Sequence, residues 1–64
     1  MCESKALIVK NGREELLMED VTYLETTPQE LILVNIKGEK LVLKNHRIAK
    51  IDFLKHRIYL EPIA

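Results

Sequence analysis

Cysteine is nearly absent: one residue in 64, with no tryptophan anywhere. A single thiol, Cys2, cannot close an internal disulfide, so the usual covalent staple of a small domain is excluded. Aromatic residues number three, Tyr23, Phe53 and Tyr59, which leaves few platforms on which nucleic-acid bases could stack. The two glycines, Gly12 and Gly38, lie in separate turns, so there is no glycine-rich phosphate loop. Net charge is absent as well. Ten basic residues balance ten acidic ones, without the basic excess of a typical phosphate-binding domain. Long apolar runs are missing too. The longest, Ala6 to Val9 and Leu31 to Val34, fall far short of the roughly 18–20 residues a membrane helix needs. The start, Met1-Cys2-Glu3-Ser4-Lys5, has neither a basic n-region nor an apolar h-region, which predicts a cytoplasmic protein with a reduced thiol and no membrane partner.

What is present is a small hydrophobic domain. The length predicts one domain over residues 1–64, and 47% of the chain is hydrophobic. A domain near this size buries only about 60% of its unfolded surface, so a metal, a partner subunit or an efficient core must support it. The pattern reads as an all-β fold of five to seven short antiparallel strands closed into a small barrel. Lys5 to Lys10 is extended, and Asn11-Gly12 is the strongest short hairpin signal. Glu14 to Met18 returns, Asp20-Val21 turns the chain, and Thr22 to Thr26 is extended up to Pro28. Glu30 to Ile36, Lys40 to Lys44, Ile48 to Phe53 and Ile58 to Glu61 follow. Lys37-Gly38-Glu39, Asn45-His46-Arg47 and Lys55-His56-Arg57 connect them. Arg13 to Asp20 is the alternative helix, but its short length argues against it.

The expected core is Leu7, Val9, Leu16, Val21, Leu31, Leu33, Leu41, Leu43, Ile51, Phe53, Ile58 and Leu60. Ala6 to Val9 and Leu31 to Val34 are apolar on both faces of their strands. The outer face of a small antiparallel barrel should be polar. An apolar one predicts a covering subunit, and two-fold homodimers are the commonest closed assembly.

Few residues carry chemistry. Cys2 adjoins the amino terminus. With Met1 retained, its amine, the Cys2 amide nitrogen and the Cys2 thiolate form two fused five-membered chelate rings. Such N,S donors suit nickel(II) and copper(II). One chain supplies too few ligands, whereas two termini meeting on a dimer axis supply enough. By position alone the inert terminal residue is the favoured reading of Cys2. His46 and His56 sit in basic turns without metal-ligand spacing. Glu14, Glu15, Glu19 and Asp20 lack the spacing of a calcium loop. No nucleophile elbow or triad signature is present, so an enzyme is not expected. Charge is segregated, with residues 1–30 at −4 and residues 31–61 at +4. The basic set, Lys37, Lys40, Lys44, Arg47, Lys50, Lys55 and Arg57, could form a nucleic-acid stripe, complementary dimer faces or a plain solvated surface.

The opening Met1-Cys2-x-x-Lys5, the aliphatic strand after it, the glycine hairpin, Asp20-Val21 and Ile48-x-x-Ile51-Asp52 together resemble the CooT family, over essentially the whole chain. The family comprises small nickel-binding proteins associated with maturation of carbon monoxide dehydrogenase. The resemblance implies an SH3-like β-barrel that forms a homodimer. It also implies a solvent-exposed nickel site at the dimer interface, built on Cys2. The expectation is a non-enzymatic metallochaperone carrying Ni(II) to a nickel enzyme such as carbon monoxide dehydrogenase, with Cys2 and Met1 as metal-site residues. The alternative is a small RNA-binding barrel using a basic face within residues 37–57, chiefly Lys40, Lys44, Arg47 and Arg57.

Overall fold

A computed structural model describes residues 4–63. The strands are β1 (Ser4–Lys10), β2 (Arg13–Thr26), β3 (Glu30–Asn35), β4 (Lys40–Lys44), β5 (His46–Asp52) and β6 (Arg57–Pro62). They form one sheet in the order β4-β3-β2-β1-β6-β5, with no helix among the described residues. Arg13 to Asp20 is strand throughout, so the helical alternative falls.

Local chemistry explains the turns. Asn11 and Gly12 both take positive φ, at 53° and 77°, as a tight hairpin requires. At the β2–β3 turn the Thr27 hydroxyl accepts the Glu30 amide at 2.9 Å. At the β3–β4 turn the Asn35 side-chain oxygen accepts the Lys37 and Glu39 amides, and Gly38 supplies φ of 83°.

Two expectations about strands change. Asp20-Val21 is not a turn but a bulge within one long strand. Asp20 takes φ of 54°, and its carbonyl accepts the Ile36 amide at 2.9 Å. The register slips on both sides of it, so the first half of β2 pairs with β1 and the second half with β3. Bulges bend a strand and sharpen its twist, which lets β2 serve two ladders. The second change concerns direction. Not every pair is antiparallel, because β1 and β6 run parallel. The reason is the single residue between β4 and β5. Asn45, at φ of 62°, kinks the chain without reversing it. β5 therefore continues in the sense of β4, and the β5–β6 hairpin brings β6 alongside β1 in the same direction as β1. His46 and Arg47 belong to β5 rather than to a connection.

The sheet coils until β3 and β5 touch, but no hydrogen-bonded ladder joins them, so the expected closed barrel is an open sheet. Its concave side holds Ala6, Val21, Leu31, Leu33 and Leu60, with Leu17, Met18, Leu24, Leu41, Leu43, Ile48 and Ile58 packed against them. Leu7 and Val9 point the other way. On β1 both alternating sets are apolar, and period-two patterning cannot then choose a face. Leu16 joins that convex side because a register slip sets Met18 opposite Ala6 and Leu16 opposite Leu7. Ile51 and Phe53, also expected in the core, are exposed. Tyr59 is buried from the convex side, under the Lys50 ammonium 4.6 Å from its ring centre.

Candidate functional site

Cys2 and Met1, the expected metal-site residues, lie outside the described residues. The structure does show where β1 begins. The Lys5 amide donates to the His56 carbonyl at 2.9 Å, and Lys5 lies beside Arg57 in the parallel ladder. Ser4 lies opposite Val21 on β2. The entry to β1 is therefore tied to the β5–β6 turn on one side and to the β2 bulge on the other.

The two histidines are far apart. His46 opens β5, and His56 follows its end. The six residue steps of β5 alone span about 20 Å. The His46 Nδ1 faces the Lys44 carbonyl at 2.9 Å. A carbonyl only accepts, so Nδ1 is the donor in that hydrogen bond. His56 takes φ of 57° in the turn and contributes its carbonyl to Lys5. Among the described residues, no three His, Cys, Asp or Glu side chains converge as a metal site. Glu14, Glu15, Glu19 and Asp20 of β2 do not converge either, since neighbouring strand residues such as Glu14 and Glu15 face opposite sides.

The basic residues are also dispersed. Lys40 and Lys44 lie on β4, at one edge of the sheet, whereas Arg57 lies on β6 near the other. Arg47 is paired with Glu61, its Nε donating to the carboxylate at 2.7 Å. Lys50 covers Tyr59. Tyr23 is exposed on the convex side, and its hydroxyl donates to Glu25 at 2.9 Å. That hydrogen bond, followed by the carboxylate's charge, raises the Tyr23 pKa above its ordinary value.

Two features escaped the sequence reading. One is a cleft of about 450 Å³ between the β2–β3 turn and the β4–β5 corner, lined by Thr27, Glu30, Leu31, His46, Ile48 and Ile63. It exists because the sheet does not close, which no local pattern encodes. The other is the tip of the β5–β6 turn, where Phe53 and Leu54 stand 80% and 89% exposed. The available signal was two large apolar residues at a position where hairpins usually carry Gly, Asn or Asp.

A sequence model of the family described as CooT, CO dehydrogenase accessory protein, matches residues 1–61. The chain belongs to the CooT family. Its members are accessory proteins for CO dehydrogenase and not enzymes themselves. The fold agrees with the crystal structure of a candidate CooT from Carboxydothermus hydrogenoformans. The two are 39% identical with a TM-score of 0.87, and the match covers 95% of this chain and 97% of that one. No curated protein matches the chain at a significant level. No helix among the described residues is long and apolar enough to cross a membrane.

Proposed function

We propose that this CooT chain is a cytoplasmic nickel metallochaperone. In this reading a homodimer of the single-domain, coiled open sheet carries Ni(II) as cargo for maturation of CO dehydrogenase. Membership of the CO dehydrogenase accessory family is the observation that carries the reading. Cys2 supplies thiolate, and the backbone nitrogen beside it, the Met1 amine or the Cys2 amide, supplies the second donor. This donor pair suits nickel(II). Cys2 is the sole thiol of the chain, so a thiolate-rich site needs two chains.

The surface supports pairing. The chain exposes 4903 Å², where a globular monomer of 7.5 kDa would expose about 4200 Å². Leu7, Val9 and Leu16 form an apolar convex patch on β1 and its neighbour β2, and β1 begins two residues after Cys2 in the sequence. A two-fold axis over that patch would set the β1 strands of two chains at one interface. An open site of this kind suits a carrier, which must release what it binds.

The RNA alternative has weaker support. Its four basic residues are spread over three strands, Arg47 is ion-paired, and Tyr59 is buried rather than offered to a base. Calorimetric titration of Ni²⁺ into wild type and Cys2→Ser tests the reading. Wild type should bind tightly near neutral pH and lose affinity on acidification, since the thiol must shed its proton. Cys2→Ser should bind at least about 100-fold more weakly. Equal affinity in both proteins overturns the site.

A further inference from the structure

The β5–β6 turn presents side chains that the fold does not use. Phe53 and Leu54 are the most exposed large apolar residues among those described, at 80% and 89%. They sit next to each other at a hairpin tip, so together they project as one knob. The backbone beneath them is well held. The Asp52 carboxylate accepts the Lys55 amide at 3.0 Å, His56 adopts the left-handed conformation, and its carbonyl receives the Lys5 amide. A held tip loses little conformational entropy on docking.

The surroundings are cationic. Lys55, His56 and Arg57 follow the knob, Lys50 precedes it, and Lys5 pairs with Arg57 across the ladder. Two carboxylates also act on this region: Asp52, which accepts the Lys55 amide in the turn, and Glu14, which with Asp52 lies within electrostatic reach of Arg57; the basic groups outnumber them. The same turn is hydrogen-bonded to the start of β1, three residues after Cys2. An apolar anchor within a basic rim fits a socket lined by apolar side chains and ringed with carboxylates. A second copy of this chain is a poor occupant. Two-fold pairing of the knob on itself would set Lys55 and Arg57 against their own copies.

We infer that Phe53 and Leu54 are the docking knob for CO dehydrogenase, inserting into an acid-rimmed apolar socket on that enzyme next to the start of β1. The inference rests on the carrier reading above and adds the surface through which the carrier meets its client. Basic groups around the tip accelerate encounter, and the apolar pair holds the complex.

The test uses the full chain with purified, nickel-free CO dehydrogenase from the same organism, read by biolayer interferometry. Phe53→Ser/Leu54→Ser should keep the wild-type circular dichroism, mass and nickel stoichiometry. It should bind the enzyme about 100-fold more weakly or worse, from the loss of two buried apolar anchors. Lys55→Glu should slow association about 10-fold at low salt and little at high salt. Wild-type affinity in both variants overturns the inference, and so does failure of wild type to bind the enzyme. Conversion of the double variant to monomer also overturns it, by showing that the knob serves subunit pairing. Flotation of wild type, but not of the variant, with anionic vesicles overturns it in favour of a lipid surface. Nickel titration is scored separately. Loss of nickel binding in wild type would refute the carrier reading while leaving the docking measurement intact.

Discussion

Two leucines at opposite extremes of exposure give the sharpest test of the packing. Leu33 is 0% exposed, between Leu24 on β2 and Leu41 on β4. Leu54 is 89% exposed. The substitution Leu→Ala removes the same atoms from each. At Leu33 it removes buried methyl groups and leaves a cavity, costing about 3–5 kcal/mol. A chain of 64 residues has a total stability of about 3–10 kcal/mol, taking roughly 0.05–0.15 kcal/mol per residue. Leu33→Ala therefore removes between about a third and all of it. A small domain has a urea slope near 1 kcal/mol per molar, so the midpoint should fall by about 3 M or the chain should be unfolded in buffer. At Leu54 the change should stay within about 0.5 kcal/mol. The assay is urea unfolding by far-ultraviolet circular dichroism. Protein concentration is held fixed, because subunit association makes apparent stability depend on it. An unchanged midpoint for Leu33→Ala refutes the core assignment. A large fall for Leu54→Ala refutes the description of a free tip, and with it the docking knob.

Other expectations follow from single features. Asp20 sits in the left-handed region, so Asp20→Ala should destabilise by about 1–2 kcal/mol while Asp20→Gly costs less; equal midpoints for the two variants would refute the bulge geometry. Tyr23 should ionise above the ordinary tyrosine range, because Glu25 holds its proton. Its raised folded-state pKa contributes stability that is full below pH 10, the unfolded value, and is lost as pH rises through the folded value. Glu25→Gln should bring the tyrosinate absorbance titration down, and an unmoved curve would refute the pairing. The exposed Arg47–Glu61 pair should contribute no more than about 1 kcal/mol, and Arg47→Ala should therefore leave the urea midpoint nearly unchanged.

The strands were legible where local chemistry alone decides them. Asn11-Gly12 demands a hairpin, and the aliphatic run through β3, with Ile32 and Val34 β-branched, favours extension. What escaped depends on partners distant in sequence. On β1, Ala6 and Ile8 compete with Leu7 and Val9 for the core, and only the register with β2 and β6 settles it. Asp20-Val21 has turn chemistry, but Asp at positive φ serves a bulge as well as a turn. The parallel β1–β6 pair hinges on Asn45 kinking instead of reversing the chain, a global consequence of one residue. Phe53 was assigned to the core on hydrophobicity, yet its place in a four-residue connection leaves it nothing to pack against. For the candidate site, the Met1-Cys2-x-x-Lys5 opening led directly to the family. Nothing in it specified that the entry to β1 would be tied to the His56 turn.

The central claim is that two chains share one nickel ion through Cys2. Native mass spectrometry of the nickel-loaded protein, on wild type and Cys2→Ser, tests it most directly. Wild type should appear as a dimer carrying a single Ni²⁺, and Cys2→Ser as a dimer carrying none. One Ni²⁺ on each isolated wild-type chain, or the same loading in Cys2→Ser, would contradict it.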